Sequence, residues 1–226
     1  MDQEESKMTT VSSERPVGRR RFLKTGCMVT AAVGVTVCGA GALAATYQPK
    51  IDQPSLSFGE KTVNDRILIT YATKAGSTAD IAARIGETLS KQNLAVDVLP
   101  VAKVTDLSAY SAVISGSAIR MGKLLPEMMT FIQKNQAALQ QKSFSIFVVC
   151  MTMKDDTEET RKTVGAYLDP VRALVQPAHE GLFAGVIDPS KVGLIDRLAI
   201  QVIKAPIGDY RKWDEISAWA GGISAN

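Results

Sequence analysis

The stretch "RILITYATKAGSTADIA", residues 66–82, decides how the rest of the chain reads. Ile67, Leu68 and Ile69 form a continuous apolar run, the pattern of a strand covered on both faces. Ile81, Ala82, Ile85 and Leu89 then recur at helical spacing. Between the two lie small or hydroxylated residues and one lysine: Thr73, Lys74, Ala75, Gly76, Ser77 and Thr78. A strand, a glycine-containing turn and a helix N-terminus expose backbone N–H groups with no partner inside the helix. Their dipoles favour an anion, and phosphate is the usual guest. Thr73, Ser77 and Thr78 add hydroxyls, Gly76 permits close backbone approach, and Lys74 can neutralise part of a dianion. The string contains neither G-x-G-x-x-G nor G-x-x-x-x-G-K-[ST], so it is not a dinucleotide fingerprint or a P-loop. Taken alone, T-x-x-G-x-T is weak evidence and more often marks a solvated turn.

The same alternation continues outward. Apolar runs predict further strands over residues 95–101, 112–117, 144–151 and 181–187. Pro126 can open a helix whose inward face includes Met129, Ile132 and Leu139. Asp156 followed by Glu159 has the spacing of a capping box, and Pro170 would kink or split the helix that follows. An apolar helix over 192–203 carries a stripe of Ile195, Leu198, Ala199, Val202 and Ile203, and a last helix over 213–220 packs Trp213 and Trp219. Five strands alternating with helices argue for a parallel sheet covered on both faces, with ligands bound beyond the carboxyl ends of the strands.

The chain has 226 residues, 46% hydrophobic and 22% charged, enough for one α/β domain with an appended segment. Its net charge of +3 is too small to imply a nucleic-acid surface. Of three cysteines, Cys27 and Cys38 fall near the N-terminus. Cys150 is left alone in the body, where it reads as a small buried hydrophobe, and no metal-ligand spacing occurs. The single histidine, His179, reads as a surface residue, Asp155 and Asp156 as helix-capping carboxylates, and Arg197 and Lys204 as a solvated helix face.

Residues 1–47 read as an address. Arg19 and Arg20 precede Phe22, Leu23 and Lys24, an uncharged run follows over 25–49, and small residues occupy 42–45. The segment resembles a twin-arginine (Tat) export signal, with Gly18 where a Ser or Thr is usual. That resemblance implies the Tat machinery as a partner, a folded passenger with its cofactor already inserted, and a periplasmic or other extracytoplasmic location. Cleavage after Ala44 and retention as a membrane anchor both remain open, since about 20 apolar residues span a bilayer. Residues 48–65 read as a polar, proline-containing linker, and 66–222 as the functional domain.

"TYATKAGSTADIA" resembles the phosphate loop of flavodoxins, in which T-x-x-G-x-T holds the phosphate of FMN. "SGSAIRMGKL", residues 115–124, resembles the second flavin loop in the branch related to menaquinone-dependent protoporphyrinogen oxidase. The similarity continues through 195–204 and 208–220. It implies a flavodoxin-like, doubly wound, five-stranded parallel sheet of order 2-1-3-4-5. Thr73, Lys74, Ala75, Gly76, Ser77 and Thr78 would then cradle the phosphate. Ser117, Ala118, Ile119, Arg120, Met121 and Gly122 would contact the ribityl chain and ring, with Arg120 available to a flavin oxygen or a substrate. Met151, Thr152 and Met153 would close the other side. Neither loop has an aromatic residue, so Met121 and Met153 are either polarizable substitutes against the ring or plain core and loop methionines. The flavin carries the chemistry, so no catalytic side chain is assigned. The expected function is an exported FMN-binding redox protein passing electrons between a donor and a quinone such as menaquinone, or a partner protein. A protoporphyrinogen IX dehydrogenase and a flavin-free binding module are the alternatives.

Overall fold

Five of the predicted strands do lie side by side, because their β-branched and aromatic residues can be buried on both faces only in the middle of a sheet. The computed structural model describes residues 49–59, 66–202 and 204–223. The chain divides into two units, Met1–Tyr47 and Gln48–Asn226. The first, with Arg19, Arg20, Cys27 and Cys38, lies outside the described residues, as does Ile203.

The main sheet contains β1 (Leu56–Phe58), β2 (Arg66–Ala72), β3 (Val96–Pro100), β4 (Tyr110–Arg120), β5 (Lys123–Leu124), β6 (Ser143–Val149) and β7 (His179–Phe183). Its order is β1-β3-β2-β4-β6-β7, with β5 folded back on β4. Strands β3, β2, β4, β6 and β7 are parallel, which is the expected 2-1-3-4-5 arrangement. All seven residues of β2 are buried.

The helices are α1 (Ser77–Ser90), α2 (Pro126–Lys134), α3 (Gln136–Leu139), α4 (Glu158–Ala166), α5 (Asp169–Arg172), α6 (Leu194–Val202) and α7 (Trp213–Ile223). On one face α1 and α7 bury Ile81, Ile85, Leu89, Ile216 and Ala220 against the sheet; on the other, Met128, Ile132, Leu139, Val164 and Val171 do the same. Phe147 stands at the centre of the first face, in ring contact with Phe183 and Trp219. It approaches β4 so closely that a Cβ on Gly116 would lie 2.0 Å from its ring. Trp213 packs beneath the guanidinium groups of Arg84 and Arg211.

Several expectations are corrected. The segment read as a linker supplies β1, an antiparallel edge strand pairing Leu56 with Val98, because Leu56 and Phe58 have an apolar cluster to join. The strand expected over 181–187 breaks at Ala184 and Gly185. Its end becomes β8 (Val186–Ile187), paired with β9 (Gly208–Asp209) in a separate ribbon. The cap of α4 is Thr157, reciprocally bonded with Thr160, and not Asp156. Asp155 instead pairs with Lys154, and Asp156 with Arg161 and Lys212. Pro170 does split the helix, standing in the first turn of α5. Helix α6, despite its apolar stripe, buries none of its residues.

At the amino end of the sheet Arg66, 6% exposed, donates from Nε to Asp97 Oδ2 at 2.9 Å and from Nη2 to Ser57 Oγ at 2.8 Å. Tyr110 Oη also donates to Asp97. Burial alone would raise the Asp97 pKa. The bonds from Arg66, Ser57 and Tyr110 outweigh it and hold the carboxyl below its ordinary value. This network ties β1, β2, β3 and β4 together opposite the ligand end.

Candidate functional site

A single glycine shapes the loop after β2. Gly76 has φ +94°, a left-handed conformation that costs glycine nothing, and it precedes α1 without offering a side-chain cap. Its N–H donates to Thr73 Oγ1 at 3.0 Å, and the first helical bond runs from Asp80 N–H to the Gly76 carbonyl. The N–H groups of Ser77, Thr78 and Ala79 therefore have no acceptor within the helix. Thr78 Oγ1 is buried and has no hydrogen-bond partner among the described residues. Across the corner, a Cβ on Gly185 would stand 3.1 Å from Ser77 Oγ and 2.8 Å from Val149, so the opposite wall is kept open by glycine. Uncapped donors beside a glycine-widened wall fit an anionic phosphate group.

Thr73, Lys74, Ala75 and Ser77 line a cavity of about 190 Å³ at this corner, together with Ala118, Ile119, Arg120 and Met151 from the ends of β4 and β6. The three predicted loops thus meet at the carboxyl edge of the sheet. Lys74 reaches sideways to Glu127 at 3.4 Å, where both side chains are exposed. A larger cavity of about 800 Å³ adjoins the first and shares Ile119, Arg120, Met151, Val186, Val192 and Asp196 with it. Its outer wall comes from α6 and the following turn, through Ile195, Ala199, Ile200 and Pro206. The Arg120 guanidinium bonds to Asp196 Oδ1 at 2.5 Å, joining the end of β4 to α6 across 76 positions of sequence.

Other predicted residues are placed elsewhere. Ser117 is fully buried and staples the hairpin, its hydroxyl accepting from Leu125 N–H and donating to the Ala118 carbonyl. Gly122 turns at φ +73° with its open side toward Tyr167. Met153 is 2% exposed within the core, so it cannot pack on a ligand ring; Thr152 accepts from the Cys150 thiol. Met121 is 93% exposed at the hairpin tip and holds φ +52°, a conformation costly for a side chain of its size. It borders the larger cavity only. Among the described residues no aromatic side chain lines either cavity.

No local pattern marks Gly185, Val186, Val192 or Asp196 as wall residues. Gly185 and Val186 sat inside an apparent strand, and Asp196 looked like one more charge on a solvated helix. On the far side of the phosphate corner, Tyr71 Oη donates to the Pro54 carbonyl at 2.7 Å, and burial, with Asp52 and Asp80 nearby, pushes the phenol up to about 12. Among the described residues no helix is long and apolar enough to cross a membrane, and no cluster of His, Cys, Asp or Glu could hold a metal ion.

Residues 68–213 match the family model described as Flavodoxin domain. A curated relative is the protoporphyrinogen IX dehydrogenase [quinone] of Escherichia coli K12, 21% identical over 173 residues, covering 70% of this chain and 94% of that one. Similar solved structures include oxidised flavodoxin 2 from Bacillus cereus, 19% identical, with TM-score 0.44 over 71% of this chain and 98% of the other. Another is the Fusobacterium nucleatum flavodoxin bound to flavin mononucleotide, 16% identical, with TM-score 0.44 over 71% and 97%.

Proposed function

Because the chain belongs to the flavodoxin domain family, we propose that it is an FMN-binding redox protein whose flavin sits at the carboxyl edge of the sheet. It passes electrons between a donor and a quinone or partner protein, after export by a twin-arginine route that reads Arg19 and Arg20. The observation that carries the reading is the uncapped start of α1 at the end of the first parallel strand, with Gly76 in a left-handed turn.

Ser77, Thr78 and Ala79 hold the phosphate through backbone N–H groups, with the Ser77 hydroxyl beside them. Thr73 keeps the loop in shape by accepting from Gly76 N–H, so its hydroxyl is a positioning group. Ala118, Ile119 and Met151 form the apolar walls of the ring site, and Arg120, held by Asp196, sets its outer rim. FMN, when bound, supplies the electron and hydride chemistry. The chain's part is to bind it, exclude water with these walls and set the polarity around it. With no aromatic side chain among the described residues of these walls, the ring would meet aliphatic groups and the Met151 thioether, while Met153 is buried away from it.

Purification followed by a visible spectrum tests the reading. A flavin spectrum from native protein, released by denaturation and identified as FMN, is the expected result. A colourless protein that also refuses added FMN would leave a flavin-free binding module. A second reading, a protoporphyrinogen IX dehydrogenase, is favoured by the span of the Escherichia coli relative, 94% of whose length is covered. Anaerobic turnover of protoporphyrinogen with a quinone, above the rate given by free FMN, would select it over the carrier role.

A further inference from the structure

We infer that the cavity behind the phosphate loop, between the end of β3 and α2, is a second small-molecule site that takes an amphipathic monoanion through Lys134. The inference goes beyond the flavin reading and does not rest on it, since Ala118, Ile119, Arg120 and Met151 take no part in its walls.

The cavity holds about 500 Å³, a volume typical of small-ligand sites. Four separate stretches of chain wall it. Ala72 and Thr73 stand at the end of β2, and the short turn Val101–Lys103 crosses the end of β3. Helix α2 forms the far wall through Glu127, Thr130, Phe131 and Lys134, which repeat at three- and four-residue spacing and so share one face. Gln53 closes the remaining side. Val101, Val104 and the Phe131 ring supply apolar surface. Tyr71 adds its ring to the floor while its hydroxyl donates to the Pro54 carbonyl. Thr73 lines this cavity and the smaller one at the phosphate corner, so the two stand back to back across a single loop.

Charge selects the ligand. Glu127 is the one carboxylate among the described lining residues, and Lys74 already pairs with it at 3.4 Å. Lys134 stands at the other end of α2, and its ammonium has no partner among the described residues. The nearby Phe131 carbonyl, a natural acceptor at a helix end, is taken by Asn135 instead, from its N–H at 3.1 Å and from Nδ2 at 2.8 Å. One end of the cavity is therefore electrically neutral and the other carries a single uncompensated positive charge. Between them the side chains of Gln53 and Thr130 also lack partners among the described residues and can donate to an acceptor. An apolar body with one carboxylate head meets these conditions together. The head reaches Lys134, and the body covers Val101, Val104 and Phe131. A cation would be repelled by Lys134, and a dianion would bring its second charge to the apolar walls or to Glu127.

The test is photolabelling of the full chain with para-benzoylbenzoate, a two-ring monoanion, followed by peptide mapping. Labelling is expected to saturate and to fall on residues 101–104 and 126–135. Ala102→Trp, at an exposed position on the cavity wall, should fill the space and abolish that saturable labelling. The neutral para-benzoylbenzamide should need about fivefold more for half-saturation, as a partly solvated charge pair implies. In the Lys134→Gln chain the acid and the amide should label alike. Labelling that fails to saturate, or that falls chiefly on other peptides, overturns the site, as does saturable labelling that Ala102→Trp leaves unchanged. Equal half-saturation by acid and amide in the unaltered chain, or a preference for the acid that survives Lys134→Gln, overturns the assignment of a monoanion held by Lys134.

Discussion

The two walls of the cleft are held by different physics. The wall made by the β2 loop, α1 and the end of β4 grows out of a sheet whose strands are buried on both faces, and its shape is set by backbone geometry at Gly76 and by close packing at Gly116 and Phe147. The wall made by α6 rests on an ion pair and on contacts around a cavity, with its apolar side chains in the open. A rigid wall suits a cofactor that must be gripped. An uncovered wall suits a partner that comes and goes.

The sharpest way to break that contrast is to cut one large apolar side chain back to alanine on each side. Phe147→Ala should destabilise the fold by about 3–5 kcal/mol, the range for a deeply packed aromatic, whereas Leu198→Ala should change stability by less than about 0.5 kcal/mol. Denaturant titration of both variants checks this, and equal losses would remove the distinction. Next in size is Gly76→Asp, which combines a strained left-handed residue with a charge facing the phosphate corner. It should lower FMN affinity by about 3 kcal/mol, roughly a hundredfold, with little change in the far-UV spectrum. Unchanged affinity in a fluorescence titration would take the loop out of the site.

Asp97→Asn probes the anchoring of the rigid half from its opposite end. It should cost about 2 kcal/mol at neutral pH, by removing the charge that Arg66 is buried against. The sign with pH follows from the lowered carboxyl. In the native protein this stabilisation is complete above the ordinary value of 3.8 and is lost as pH falls through the lower folded value. The wild-type and variant stability curves should therefore converge below about pH 3.8. Curves that stay parallel would show that the network does not depend on the ionised Asp97. The smallest effect belongs to the exposed wall: Asp196→Asn should cost less than about 1 kcal/mol in stability, since the pair with Arg120 is partly solvated. The rise in hydrogen exchange that follows should be confined to α6.

Much of the rigid wall was legible because its signals are local. An apolar run such as Ile67 to Ile69, closed by a turn signal, reads as a buried strand, and Gly76 between it and a helical pattern reads as the turn. Residues named from these loops, among them Thr73, Ser77, Ile119 and Met151, do line one cavity at the carboxyl edge. Thr157 was missed as a cap because Asp156 has the same spacing to a candidate partner, and only the backbone decides which residue begins the helix. Met153 was left open between ligand and core because a methionine in a loop sequence can point either way, and the fold buries it. Gly185 and Asp196 were invisible because their roles come from neighbours 36 and 76 positions distant, Val149 and Arg120.

By itself the sequence determined the alternation of strands and helices, the parallel sheet it argues for, and the glycine turn at the first strand end, since each shows in the pattern of neighbouring residues, whereas the strand order was implied by the family resemblance. Only the tertiary structure decided that the linker supplies an edge strand, that the fifth strand stops at Gly185, and that α6 stands uncovered at the mouth of the cleft. Those outcomes depend on which distant surfaces remain to be paired once the sheet has closed, and no local pattern of residues records that.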